Sequence, residues 1–155
     1  MCASTASLPD VAVRRYLLLL GSNLATAARL REALTALATL GKVATLTPVT
    51  PTPARHDPTR HYFNALVRCD CTHDRDAFIA HLKQLEAELG RVRGAGGDVA
   101  IDIDLLATCV DGHWRADPHA LAKHEFTQSP ARELLQQSGI TIQTIAGKGA
   151  GGGHS

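Results

Sequence analysis

Apolar and polar positions divide the chain into segments of distinct period. Tyr16-Leu17-Leu18-Leu19-Leu20 is a continuous apolar run, which predicts a buried strand. It stops at Gly21-Ser22-Asn23, where a glycine permits a tight turn and a close backbone approach to a ligand. Asn23 or Thr26 can cap the helix that follows, in which Leu30, Leu34 and Leu37 recur at helical spacing, with Leu40 one turn on and Gly41 as the stop. Val43 to Thr50 is rich in valine and threonine and predicts a second strand. Pro48, Pro51 and Pro53 interrupt any long ladder, so residues 51–60 are expected to form a loop. Tyr62 to Cys69 predicts a third strand, with Ala65, Val67, Cys69 and Cys71 facing inward and Asn64 on the opposite face. Asp74 to Leu89 predicts a second helix: Phe78, Leu82, Leu85 and Leu89 form its stripe, Asp74 its N-cap and Gly90 its stop, with Glu86 on the flank.

The stretch Ala100 to Ala107 reads as a strand that carries two acids. Its alternation puts Asp102 and Asp104 on one face and Ile101, Ile103 and Leu105 on the other. Adjacent carboxylates repel unless a cation or a shared proton separates them. Mg²⁺ suits such a pair, because it takes hard oxygen ligands from one or two carboxylates plus phosphates and water. Two cations in a glycine-rich loop, Arg91 and Arg93, precede the strand, and Pro118-His119 follow it; together they suit a polyphosphate. Thr108 to Trp114 is a strand edge or turn, tightest at Asp111-Gly112, and Ala131 to Ile145 is the last apolar segment.

Composition narrows the field. A chain of 155 residues is one domain, expected to carry a loose N-terminal arm over residues 1–13 and a flexible glycine-rich tail over residues 147–155. Sixteen Lys and Arg balance fifteen Asp and Glu, so no broad basic face for nucleic acid is implied. No segment has the apolar length of a bilayer span or a signal peptide core, so no membrane partner is expected and the location expected is cytoplasmic. The four cysteines, Cys2, Cys69, Cys71 and Cys109, are then expected to be reduced thiols. Cys69, Cys71 and His73 could share a strand face and bind zinc, but a structural site needs a fourth ligand; buried free cysteines are the default.

Five motifs together carry a resemblance: Leu20-Gly21-Ser22-Asn23-Leu24, Tyr62-Phe63-Asn64-Ala65, Leu89-Gly90-Arg91-Val92-Arg93, Ile101-Asp102-Ile103-Asp104-Leu105-Leu106, and Pro118-His119 with Phe126. In this order the chain, from about Tyr16 to Leu135, resembles the 6-hydroxymethyl-7,8-dihydropterin pyrophosphokinase family of folate biosynthesis. The resemblance implies an α+β, ferredoxin-like sandwich with helices on an antiparallel sheet. It implies transfer of pyrophosphate from ATP to the pterin hydroxymethyl group, leaving AMP. Asp102 and Asp104 would hold two Mg²⁺ ions that bridge the ATP phosphates. Gly21, Thr52, Asn64 and Phe126 would form the pterin site, with Asn64 on the ring edge and Phe126 stacked on the ring. Glu86, Arg91, Arg93 and His119 would serve the nucleotide, Arg91 and His119 with catalytic roles. ATP and a pterin would be the partners of a monomer.

The chain also departs from the family pattern. Gly97-Asp98-Val99-Ala100 stands where the family has Gly-Pro-Arg-Thr, so Val99 replaces an arginine, and Lys123-His124-Glu125-Phe126 lacks a second one. Lys123 or His124 could substitute in part, without reproducing a bidentate guanidinium. The alternative function is therefore a diverged relative that binds a pterin or nucleotide with weak or altered transferase activity.

Overall fold

A computed structural model describes residues 12–22, 28–54, 57–91 and 101–144, with backbone alone for 52–54, 57–62 and 91. The expected arm and tail therefore lie outside the described residues, apart from Ala12 and Val13. The elements run β1 (Arg14–Ser22), α1 (Ala28–Leu37), β2 (Lys42–Thr45), β3 (Thr50–Ala54), β4 (Asp57–Cys71), α2 (Arg75–Arg91), β5 (Asp102–Val110), β6 (His113–Ala116), α3 (Pro118–Ala122), a 3-10 turn (Glu125–Thr127), α4 (Ala131–Ser138) and β7 (Ile142–Gln143). One seven-stranded sheet has the order β2-β4-β1-β5-β6-β7, with β3 also on β4. The first four positions give the order of a ferredoxin-like sheet. The pairing is antiparallel except at β7, which runs parallel to β6 through Trp114 and Ile142, so the sheet is mixed rather than antiparallel throughout.

β1 is the central strand and needs no alternation, because both its faces are covered. Tyr16, Leu18 and Leu20 join Leu30, Leu37, Phe78 and Leu82 in the core under α1 and α2. Leu17 and Leu19 join Leu66, Leu106 and Leu134 in a second core on the opposite face. Ala65, Val67, Cys69 and Cys71 all face the first core, as their alternation requires. So do Ile101, Ile103 and Leu105, which turns Asp102 and Asp104 toward the other face. Tyr16 stacks on Phe78 with ring centroids 4.2 Å apart, and its hydroxyl donates to the His73 carbonyl at 2.7 Å.

Several boundaries moved. The first helix ends at Leu37, before Gly41, and the second runs through Gly90 to Arg91. Asp74 caps α2, its Oδ1 accepting from the Ala77 amide at 2.9 Å. The single strand expected over 43–50 is two strands, because at Thr47-Pro48 the chain leaves the ladder; the Thr47 hydroxyl takes the Leu66 amide at 2.9 Å instead. The loop expected over 51–60 is a hairpin of β3 and β4. Pro51 and Pro53 are two apart, so their missing N–H groups fall on one side and leave the other free to pair with β4. β5 and β6 meet at Asp111-Gly112, both at positive φ (52° and 80°), the backbone of a two-residue hairpin turn. Cys69 and Cys71 are free and buried, whereas Cys109 is disulfide-bonded, so the expectation of four reduced thiols fails at Cys109. No described helix is long and apolar enough to cross a membrane.

Candidate active site

The register of three strands builds the first part of the site. Gly21 on β1 faces Asn64 on β4 and Asp102 on β5. At the usual strand spacing the Asn64 and Asp102 backbones stand about 10 Å apart across the glycine. With no side chain between them, Gly21 leaves a trough. One row along, Leu19 faces Asp104. A cavity of about 200 Å³ lies over this patch, lined by Leu19, Gly21, Asn64, Asp102 and Asp104 and closed by Glu125 and Pro130. Asn64 is buried and donates from Nδ2 to the Leu20 carbonyl at 3.4 Å.

The second part lies at the sheet edge. β5 pairs with β6 only from Ala107 onward, so among the described residues its first half has no outer strand. Helix α2 covers one side of that opening and the α3 segment the other, leaving a cleft of about 490 Å³. From α2 come Arg75, Ile79, Leu82, Lys83 and Glu86, spaced along one helical face; from the other wall come Asp117, His119 and Lys123. Glu86 takes up the open edge directly: its Oε2 accepts from the Ile103 amide at 2.7 Å. Asp117 caps α3 by accepting from the His119 amide at 3.0 Å, and is clamped by Arg75 through Nε at 2.6 Å and Nη2 at 3.1 Å. That clamp ties the start of α2 to the start of α3. Asp102, Asp104 and Glu125 line both cavities, so the acid pair forms the wall between them.

Electrostatics follow from this crowding. Burial pushes the carboxyls of Glu86 and Asp104 above their ordinary range, and the protein packed around its carboxyl does the same at Asp102, although that residue is exposed at the strand end. Repulsion adds to it, from Asp104 at Asp102 and from Glu125 at Asp104. Lys123 answers it, with Nζ 3.7 Å from Asp104 Oδ1 and 3.3 Å from Glu125 Oε2. Burial opposes the Lys123 charge, but Asp104 and Glu125 outweigh it and hold the ammonium above its usual value. Two oxygen donors on one strand face, Asp102 pushed up by Asp104 and Asp104 by Glu125, fit a hard divalent cation. Among the described residues no third His, Cys, Asp or Glu joins them, a donor set that leaves the remaining positions to phosphate oxygens and water.

The structure brings Gly21, Asn64, Glu86, Asp102, Asp104 and His119 around these two cavities. Phe126 does not line either one; it is half-buried and packs against the second core. Thr52 lies on β3 opposite Tyr62 rather than in a loop, and its side chain is outside the described residues. The same holds for the Arg91 side chain at the end of α2, while Arg93 and Val99 lie wholly outside them. Cys69 and Cys71 face the core, and the His73 ring lies 4.5 Å from that of His81 instead of joining them. Sequence reasoning missed Arg75, Lys83, Asp117 and Glu125. Lys83 was accessible, since it lies three residues before Glu86 on the same helical face. Glu125 carried no signal, because it reaches the site only through the fold of the segment after α3.

No curated protein matches the chain. The sequence model of the family described as 7,8-dihydro-6-hydroxymethylpterin-pyrophosphokinase matches residues 17–136, a span that holds most of β1, both long helices, the acid pair and both walls of the cleft. The chain belongs to the 7,8-dihydro-6-hydroxymethylpterin-pyrophosphokinase family.

Proposed function

We propose that this protein transfers pyrophosphate from ATP to 6-hydroxymethyl-7,8-dihydropterin, as a cytoplasmic monomer. The observation that carries this reading is the common wall: two cavities of unequal size meet at Asp102 and Asp104. The smaller one suits a flat heteroaromatic ring, with a side-chain-free floor at Gly21 and a buried amide at Asn64 that offers a donor and an acceptor. The larger one suits the nucleotide, with Lys83, His119 and Lys123 as cationic or hydrogen-bonding groups around it.

The acceptor hydroxyl would attack the β-phosphorus and release its proton to water, the bond from that phosphorus to the α,β-bridging oxygen would break, and AMP would leave. Mg²⁺ held by Asp102 and Asp104 would neutralise phosphate charge during that step. Glu86, fixed on the Ile103 amide, keeps the acid-bearing strand end in place beside α2. The Arg75–Asp117 clamp holds α3, and with it His119, against the far wall. Arg91, Arg93, Thr52 and Phe126 belong to the same proposal on the family's pattern alone.

One observation favours a second reading, a diverged relative that binds pterin or nucleotide with weak or altered transfer. Among the described residues Arg75 is the one arginine lining the larger cleft, and Asp117 already engages it. A free guanidinium on the phosphates can be worth several orders of magnitude in rate. The deciding assay is AMP release from ATP, Mg²⁺ and the hydroxymethyl pterin. Stoichiometric AMP and pterin pyrophosphate establish the first reading; calorimetric binding of ATP or pterin with no AMP establishes the second.

A further inference from the structure

The ammonium of Lys123 sits on the carboxylate that the proposed function assigns to the divalent cation. It lies 3.7 Å from Asp104 Oδ1, and Glu125 anchors it from the other side at 3.3 Å. A second cation approaching Asp104 meets like charge at a few ångströms, inside a partly enclosed cleft where water screens poorly. The Lys123 side chain is 47% exposed, and it follows the end of α3 on a flexible four-carbon stem. It can therefore leave Asp104 without moving the backbone. Both it and Asp104 border the larger cleft, so the direction open to it leads toward the nucleotide's place.

We propose that Lys123 is a resident countercation of Asp104, which keeps a bare divalent ion out of the nucleotide-free site and yields when the ion arrives chelated by nucleotide phosphates. In the empty state the ammonium balances the acid pair. When a metal–nucleotide complex enters, the phosphates offer the ammonium an alternative partner, so the ion and the lysine no longer compete for one oxygen. Lys123 is then a positioning residue that selects the metal–nucleotide complex over free metal. Glu125 sets how readily it lets go, since it borders both cavities and holds the ammonium when Asp104 is surrendered. The inference rests on the metal reading of Asp102 and Asp104 given above.

The test is Mn²⁺ binding to the full chain without nucleotide, read from the electron paramagnetic resonance signal of free Mn²⁺. Lys123→Met is expected to bind Mn²⁺ at least about five-fold more tightly than the unmutated protein, since a like charge near the ion is gone. Lys123→Arg is expected to restore the weak binding, and Asp104→Asn added to Lys123→Met to abolish the gain. Thermal melts of each variant accompany the titrations. Unchanged or weaker Mn²⁺ binding in Lys123→Met overturns the proposal, as does tight binding in Lys123→Arg, or a gain that survives Asp104→Asn. Failure of the metal reading itself looks different: Asp102→Asn and Asp104→Asn then leave Mn²⁺ binding unaltered in every background. If only the lysine inference fails, those two variants lose Mn²⁺ while Lys123→Met gains nothing.

Discussion

A Cβ on Gly21 would stand 2.7 Å from Nδ2 of Asn64, so the glycine and the amide share one space. The amide lies over β1 because the residue beneath it has no side chain. Gly21→Ala is therefore expected to displace Asn64 and weaken pterin binding with the sheet intact. Asn64→Ala should cost about 1–3 kcal/mol of pterin affinity, the range for leaving a buried polar group unpaired. Titration calorimetry with circular dichroism as the fold control checks both; wild-type pterin affinity in Gly21→Ala would detach the trough from the substrate.

The acid pair gives a pH signature. The Asp102 carboxyl is held above its ordinary value, first by the protein packed around it and then by Asp104, so the folded protein binds that proton more tightly than the unfolded chain. The stability this contributes is full below the ordinary carboxylate pKa and is lost as pH rises through the raised folded value. Asp102→Asn is thus expected to raise the melting temperature at neutral pH in a chelator, with the gain vanishing well below about pH 4, where the Asp102 carboxyl is protonated in the folded and the unfolded chain alike. Saturating Mg²⁺ should reverse the order of the two proteins. A gain that stays constant across pH would mean that repulsion at Asp102 is not its source.

The clamp between Arg75 and Asp117 is expected to matter for the larger cleft. Asp117 is 3% exposed, serves as the cap of α3 and accepts two guanidinium bonds. Asp117→Ala should cost about 1.5–3 kcal/mol in urea unfolding, the range for hydrogen bonds to charged groups. ATP affinity should fall with it, while pterin affinity changes little. Equal loss of both affinities would show that the two cavities are not separable in this way.

Thiol chemistry offers a check on the core. Burial pushes the Cys69 thiol up to about 12, and burial raises that of Cys71 as well. Neither is a ready thiolate at pH 8, so a disulfide reagent such as Ellman's should report no fast reaction of Cys69 or Cys71 in the native protein and reaction of both after denaturation. Fast native labelling of Cys69 would contradict its place in the core between the sheet and its helices.

What could be read from the sequence was whatever depends on neighbours in the chain. Asp102 and Asp104 share a face because strand geometry alternates; Asp74 caps α2 because its oxygen reaches an amide three residues on. The Asp111-Gly112 turn is likewise local. The hairpin of β3 and β4 was hidden because Pro51 and Pro53 argue against a strand until it is known that one side of it stays unpaired. Lys123 and Glu125 reach the acids only through the path of the chain between α3 and α4, and no periodicity records that path. Phe126 shows the same effect from the other side: its motif position speaks for a ring-stacking role, while its surroundings in the fold are the apolar side chains of the second core.

The first half of β5, which has no outer strand among the described residues, bears on the molecule's behaviour toward its own copies. A strand edge with unsatisfied backbone groups is a template on which another chain can add, the usual first step of edge-to-edge aggregation. Here Glu86 already occupies the Ile103 amide that an incoming strand would need. Two copies meeting along this edge would also bring Asp102 and Asp104 of each toward the acids of the other. The carboxylates proposed to hold the metal would thus also oppose growth of the sheet past its own chain.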